Sequence, residues 1–272
     1  MSKRFIAFLL TLITLVPAMH AAAAPPDVGV VLLHGKWGRP QNVLPLARQL
    51  ESAGYPAQAP EMAWSARRLY DVDYPAALKE IEKHVSQLRA RGAKRVIIAG
   101  QSMGANAAVA YAYSGLDADG LVLMSPGHFP ERGMGRRVRE HVARARAMAA
   151  GGQADESAGF EDVNQGRSAT ITATARNYLS YFDAEGLGAS TRNIRSLARP
   201  IPLLLAIGTR DPFYPDAKAM FDSAPVHRAS RYLVLETDHA NVPAAVAPEL
   251  LKWLESLARQ APAGGPHTQT KH

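Results

Sequence analysis

The chain has 272 residues, 47% of them hydrophobic and 20% charged, which lies in the globular range and gives one domain enough apolar side chain for a large core. It contains no cysteine, so disulfides, a thiolate nucleophile, lipid attachment through a thiol and cysteine-ligated metal are excluded. The formal net charge is +7, of which Lys3 and Arg4 supply two, and the remainder does not demand a nucleic-acid partner.

In chain order, Lys3 and Arg4 precede an apolar run from Phe5 to Val16, broken by Pro17 and followed by the small residues Ala21 to Ala24. This pattern predicts a signal peptide over residues 1–24 and a periplasmic or secreted mature protein. The run is too short and wrongly flanked to span a bilayer, so no stable membrane insertion is expected after its removal.

Beyond Asp27, short apolar runs alternate with segments of helical period, the pattern of a mostly parallel sheet flanked by helices over residues 25–260. Val28 to Leu33, Val96 to Ala99, Leu121 to Met124, Ile201 to Ile207 and Tyr232 to Leu235 are nearly continuous apolar runs, as expected of strands buried on both faces. A sixth run, Tyr55 to Met62, is weakened by Pro56 and Pro60, which lack a donor. Leu78, Ile81, Val85 and Leu88 repeat at helical spacing behind Pro75, and Leu250, Trp253, Leu254 and Leu257 do so behind Pro248.

The interval 126–199 breaks the rhythm. It has no clear strand, and it predicts a helical cap inserted in the α/β domain, with two ordinary crossover helices joined by a loop as the plain alternative. Arg132, Arg136, Arg137, Arg139, Arg144 and Arg146 fall there, either as a solvated cationic helix face or as an attractor of anionic substrates or surfaces. Residues 261–272 read as a disordered tail.

Immediately after the run Val96 to Ala99 comes Gly100-Gln101-Ser102-Met103-Gly104, followed by the mostly small run Ala105 to Ala110. A serine hydroxyl attacks well only when held exposed beside a base, and a sharp strand-to-helix turn with flanking glycines holds it so. Ser102 is therefore the candidate nucleophile.

A developing oxyanion needs two positioned N–H donors. The residue after the nucleophile, Met103, supplies one, and the loop His34-Gly35-Lys36-Trp37-Gly38 supplies the other through the Lys36 backbone, with His34 bracing the loop from the core. Asp211 follows the run ending at Ile207, and His239 follows the run ending at Leu235, in the order serine, acid, histidine. Asp238 competes for the acid role, but a neighbour in sequence seldom turns its carboxylate onto the adjacent ring.

Trp37, Phe213 and Tyr214 flank these loops as candidate walls of a substrate pocket, with core packing as the plain alternative. His128 reads as a surface histidine. No metal and no cofactor are implied, because the histidines are scattered and phosphate-cradling glycine patterns are absent.

Together His34-Gly35, Gly100 to Gly104, Asp211 and His239 resemble the oxyanion loop, nucleophile elbow, acid and base of the α/β-hydrolase superfamily over nearly all of residues 27–260. The resemblance implies an eight-stranded-type core lacking its first two strands, with a small-molecule ester bound between strand ends and cap. The expected reaction is ester hydrolysis through an acyl-enzyme. An envelope acyltransferase with the same triad and a non-catalytic binding protein of this fold are the alternatives. The oxyanion loop departs from the glycine run of many lipases at Lys36-Trp37. The acid position that some members use after Met124 is filled by Ser125-Pro126.

Overall fold

The computed structural model describes residues 27–259, so the expected signal peptide and tail lie outside the described residues. Six strands form the central sheet: β1 (Val28–Leu33), β2 (Ala57–Gln58), β3 (Arg95–Ser102), β4 (Gly120–Pro126), β7 (Leu203–Gly208) and β8 (Arg231–Leu235). Their order is β2-β1-β3-β4-β7-β8 and every neighbouring pair is parallel. The helices of the α/β body are α1 (Leu44–Ser52), α2 (Tyr74–Ala90), α3 (Met103–Tyr113), α8 (Tyr214–Ser223), α9 (Val242–Ala245) and α10 (Ala247–Ala258).

Alternation along the strands sorts the core into two layers. Val31, Leu33, Ile98, Leu123 and Leu205 pack with α2, α3 and α8, whereas Val30, Leu32, Ile97, Val122 and Leu204 pack with α1, α9 and α10. The apolar positions expected on α2 and α10 are all buried there. Asp73 caps α2 by accepting from the Ala76 N–H at 2.8 Å, and Trp253 of α10 donates its indole N–H to the Ala229 carbonyl at 2.7 Å.

Two strands depart from expectation. The run Tyr55 to Met62 contributes only Ala57–Gln58 to the ladder, because Pro56 and Pro60 confine pairing to the residues between them. The run Tyr232 to Leu235 is the sheet edge, with Val234 44% exposed, and is not buried on both faces.

Between β4 and β7 lie α4 (Gly133–Arg137), α5 (Arg139–Ala150), β5 (Ser157–Asn164), β6 (Arg167–Thr174), α6 (Ala175–Phe182) and α7 (Ser190–Asn193). The segment thus contains an antiparallel hairpin beside its helices, turned by Gln165 and Gly166, both at positive φ. Phe160 of β5 stacks on Tyr178 of α6 at 4.4 Å between centroids, and Tyr178 stacks on Phe182 at 4.3 Å.

Several of the segment's arginines act as fasteners. Arg144 lies over the Phe160 ring and donates to the Gly159 carbonyl, Arg137 donates to Ser168 Oγ at 2.8 Å, and Arg146 pairs with Asp183 at 2.9 Å. Among the described residues no helix is long and apolar enough to cross a membrane.

Candidate active site

Three loops at the C-terminal ends of β3, β7 and β8 meet on one side of the sheet. Ser102 ends β3 and precedes α3 at φ 55 and ψ −113, a backbone conformation strained for any residue with a side chain. The elbow closes because its glycines leave room: a Cβ on Gly100 would run into the Gly104 backbone, and one on Gly104 would run into Leu33. Met103 opens α3, where a first-turn N–H has no carbonyl four residues earlier to bind and the helix dipole favours negative charge.

His239 and Asp211 are both buried, and the carboxylate Oδ2 stands 2.8 Å from His239 Nδ1. The other oxygen of Asp211 accepts from the Phe213 N–H at 2.8 Å. Burial works to raise the Asp211 pKa. The His239 bond and charge, the nearby Ser125 hydroxyl and the Phe213 N–H outweigh it and hold the carboxyl below its ordinary range. Ser125 Oγ itself is buried and meets no partner at hydrogen-bond geometry.

With Nδ1 facing a carboxylate, the imidazole carries its proton there and leaves Nε2 as the basic nitrogen. That Nε2 is buried and unpartnered. A Cβ built on Gly127 would lie 2.7 Å from Ser102 Oγ and 3.7 Å from His239 Cε1, so hydroxyl and imidazole both flank this glycine, without a hydrogen bond between Ser102 Oγ and His239 Nε2. Asp238 is elsewhere: its carboxylate accepts from the Ala240 and Asn241 N–H groups and the Asn241 side chain, capping its own turn.

The loop after β1 is held from below. His34 Nε2 accepts from the Met62 N–H at 3.1 Å, which leaves Nδ1 to donate to the Gly35 carbonyl at 2.8 Å, while Trp64 donates to the His34 carbonyl at 2.7 Å. The Lys36 backbone N–H has no partner among the described residues.

A cavity of about 800 Å³ opens at Ser102, walled by the α/β body and by the cap segment. Phe129, Met134, Val163 and Phe213 give it apolar walls, and Lys36, His128, Arg132, Arg137 and Arg210 also line it. Of the three aromatic residues expected to wall a substrate pocket, only Phe213 lines this cavity. Trp37 is drawn aside, its indole N–H donating to Asp162 at 2.8 Å, and Tyr214 starts α8 at 39% exposure.

His128 is not a surface residue. It is buried with its Nε2 2.9 Å from the Tyr181 carbonyl, and burial, aided by the Lys36 charge, holds its pKa well below the ordinary histidine value. Asp162, Gly127 and Tyr70, whose hydroxyl donates to Asp162 at 2.8 Å, escaped the sequence reading, since no apolar run or family motif marks them.

A family model described as the alpha/beta hydrolase family matches residues 30–252, which takes in the elbow, Asp211 and His239. The chain belongs to the α/β-hydrolase family. Its fold is shared with solved members at low identity. One of the metagenome-derived lipolytic enzymes LipS and LipT is 15% identical at a TM-score of 0.60, over 87% of this chain and 95% of that one. The monoacylglycerol lipase of Paleococcus ferrophilus is 18% identical at 0.60, over 85% and 95%. An esterase domain from Rhodothermus marinus is 16% identical at 0.54, over 86% and 89%. Among curated proteins, no sequence matches this chain.

Among the described residues, the six-stranded sheet matches the expected core without its first two strands. Among the described residues no cluster of three or more histidine or acidic side chains is arranged to hold a metal ion.

Proposed function

We propose that the protein is a serine hydrolase that cleaves carboxylic esters of small molecules through an acyl-enzyme. The observation that carries this reading is His239, fixed by Asp211 through Nδ1 at 2.8 Å, with a buried unpartnered Nε2, beside a serine strained at φ 55. Those are the features of a base awaiting a hydroxyl proton and of a hydroxyl held for attack.

In the reaction, His239 Nε2 takes the Ser102 Oγ proton as Oγ bonds to the ester carbonyl carbon. The Met103 and Lys36 N–H groups hold the resulting oxyanion, each contributing about 3 kcal/mol to the transition state. The imidazolium gives its proton to the departing alkoxide. Water, deprotonated by His239, then attacks the acyl-enzyme and releases the acid with Ser102 restored. Asp211, held ionised, orients the ring and balances its charge.

The mostly apolar walls of the cavity suit an apolar acyl or alcohol group, and its volume suits a small molecule. With residues 1–24 read as a signal peptide, the reaction takes place outside the cytoplasm, and fractionation of the expressing cells tests that location. The chemistry is tested with a panel of p-nitrophenyl esters. Wild-type protein is expected to turn over one or more of them, with Ser102→Ala lower by at least about 1,000-fold. A folded Ser102→Ala protein with wild-type turnover contradicts the reading.

A further inference from the structure

The β5–β6 hairpin carries a charge where its inner face should be apolar. On β5, Phe160 and Asp162 both point inward, and the Asp162 side chain has no solvent exposure. A buried carboxylate persists only if its lone pairs are met, and here all four sites are used. Oδ1 accepts from Lys36 Nζ at 2.5 Å and from the Val163 N–H at 2.7 Å. Oδ2 accepts from the Trp37 indole N–H at 2.8 Å and from the Tyr70 hydroxyl at 2.8 Å.

Two of those four donors are side chains of consecutive residues in the oxyanion loop. The remaining bonds tighten the same junction: Lys36 Nζ also donates to the Val163 carbonyl at 3.0 Å, and Asn164 Nδ2 donates to the Lys36 carbonyl at 3.2 Å. The Lys36 ammonium is buried, 3% exposed, and rests 5.0 Å from the Phe182 ring centroid. Trp37 holds φ 54, a conformation that needs external support, and the Asp162 bond adds to the backbone bond from the Trp37 N–H to the Trp64 carbonyl at 2.9 Å.

We propose that Asp162 is a positioning residue for the hydrolysis above. Through Lys36 and Trp37 it clamps the oxyanion loop to the cap hairpin, and so sets where the Lys36 N–H stands relative to Ser102. The inference rests on the serine-hydrolase reading for its catalytic consequence, while the clamp itself is a matter of structure. Hairpin and oxyanion loop then move as one body, and a displacement of the hairpin disarms the oxyanion donor.

Asp162→Asn isolates the clamp. An amide keeps one acceptor oxygen and turns two N–H donors toward two of the four groups that now donate to Asp162, so half the junction is lost at nearly constant volume. Donor misplacement on the scale of an ångström costs about 100-fold in rate. The expected result for folded Asp162→Asn is a kcat on a p-nitrophenyl ester about 100-fold lower, with KM within about threefold. The rate of fluorophosphonate labelling should fall in parallel. Trp37→Phe, which cuts one link, should lower kcat about 10-fold on the same scale.

Wild-type kcat in folded Asp162→Asn, or a raised KM at unchanged kcat, overturns the proposal. If Asp162→Asn does not fold, wild-type kcat in Trp37→Phe overturns it instead. The Trp37 indole N–H resonance in a ¹⁵N-labelled sample reports the clamp without catalysis, and it should shift in Asp162→Asn. A wild-type protein that takes no label and turns over no ester sinks the hydrolase reading alone. The clamp then stands on a shifted indole resonance and falls on an unchanged one.

Discussion

At the scale of single residues, the division of labour between Asp211 and Asp238 favours Asp211 as the acid of the proposed triad. Asp211 meets the imidazole, whereas Asp238 spends its oxygens on its own turn. Asp211→Asn is therefore expected to lower ester kcat by about 10⁴-fold, since an amide leaves His239 in the wrong tautomer. Asp238→Asn should lose at least 100-fold less than that, a comparison that steady-state kinetics on the two variants makes directly. Gly127 is a second single-residue test. A methyl group there would stand 2.7 Å from Ser102 Oγ, so Gly127→Ala is expected to fold and to lose about 100-fold in kcat/KM by blocking approach to the hydroxyl. The placement of Ser102, Asp211 and His239 at strand ends was legible because each follows an apolar run. Asp162 and Gly127 were not legible. A charge in a polar stretch reads as surface until the partners that bury it are known, and Gly127 matters only through its distance to atoms 25 residues and 112 residues away in sequence.

At the scale of elements, the hairpin is tied to its surroundings by an aromatic stack, by arginine bonds from α4 and α5, and by the Asp162 junction. Phe160 is fully buried between Tyr178 and the Arg144 guanidinium. Phe160→Ala should cost about 3–5 kcal/mol of local stability. Faster amide exchange across residues 157–174 is the expected readout, with exchange in β3 and β4 unchanged. Uniform acceleration through the sheet would show that the cap and sheet unfold together. The arginine-rich helix posed a choice between a solvated face and an attractor of anions, and the fold shows fastening bonds from Arg137, Arg144 and Arg146 within the cap. The hairpin itself was hidden in the sequence because its inward positions alternate weakly: Phe160 is followed at the next inward position by Asp162, and β6 offers only Ile171 and Ala173. Thr170, Thr172 and Thr174 were the β-branched signal that could have revealed it. The short β2 and exposed β8 have the same kind of cause, since prolines and an edge position override what an apolar run suggests by itself.

At the scale of the whole molecule, the parallel sheet and its two helical layers follow from apolar runs and helical periods, which is why most of the fold was readable. Part of its response to mild acid follows from the buried His34 and His128. Burial lowers the pKa of His34 and, more strongly, of His128 from the ordinary value of 6.5 that each regains on unfolding. Below about pH 6.5 the unfolded chain binds protons that the folded one refuses, so stability is present above that pH and is lost as pH falls from it toward the folded values. The Tm should drop between pH 7 and pH 5, and more steeply in the wild type than in His128→Gln, which removes the larger of the two contributions. Equal slopes in the two proteins would remove His128 from the account.

The most direct test of the proposed chemistry is covalent labelling of the folded protein with a fluorophosphonate, with the modified peptide identified by mass spectrometry. The expected result is a single adduct on Ser102 that disappears in Ser102→Ala and forms far more slowly in His239→Ala. A folded protein that takes no adduct, or one labelled equally well after Ser102→Ala, would contradict the assignment of Ser102 as nucleophile.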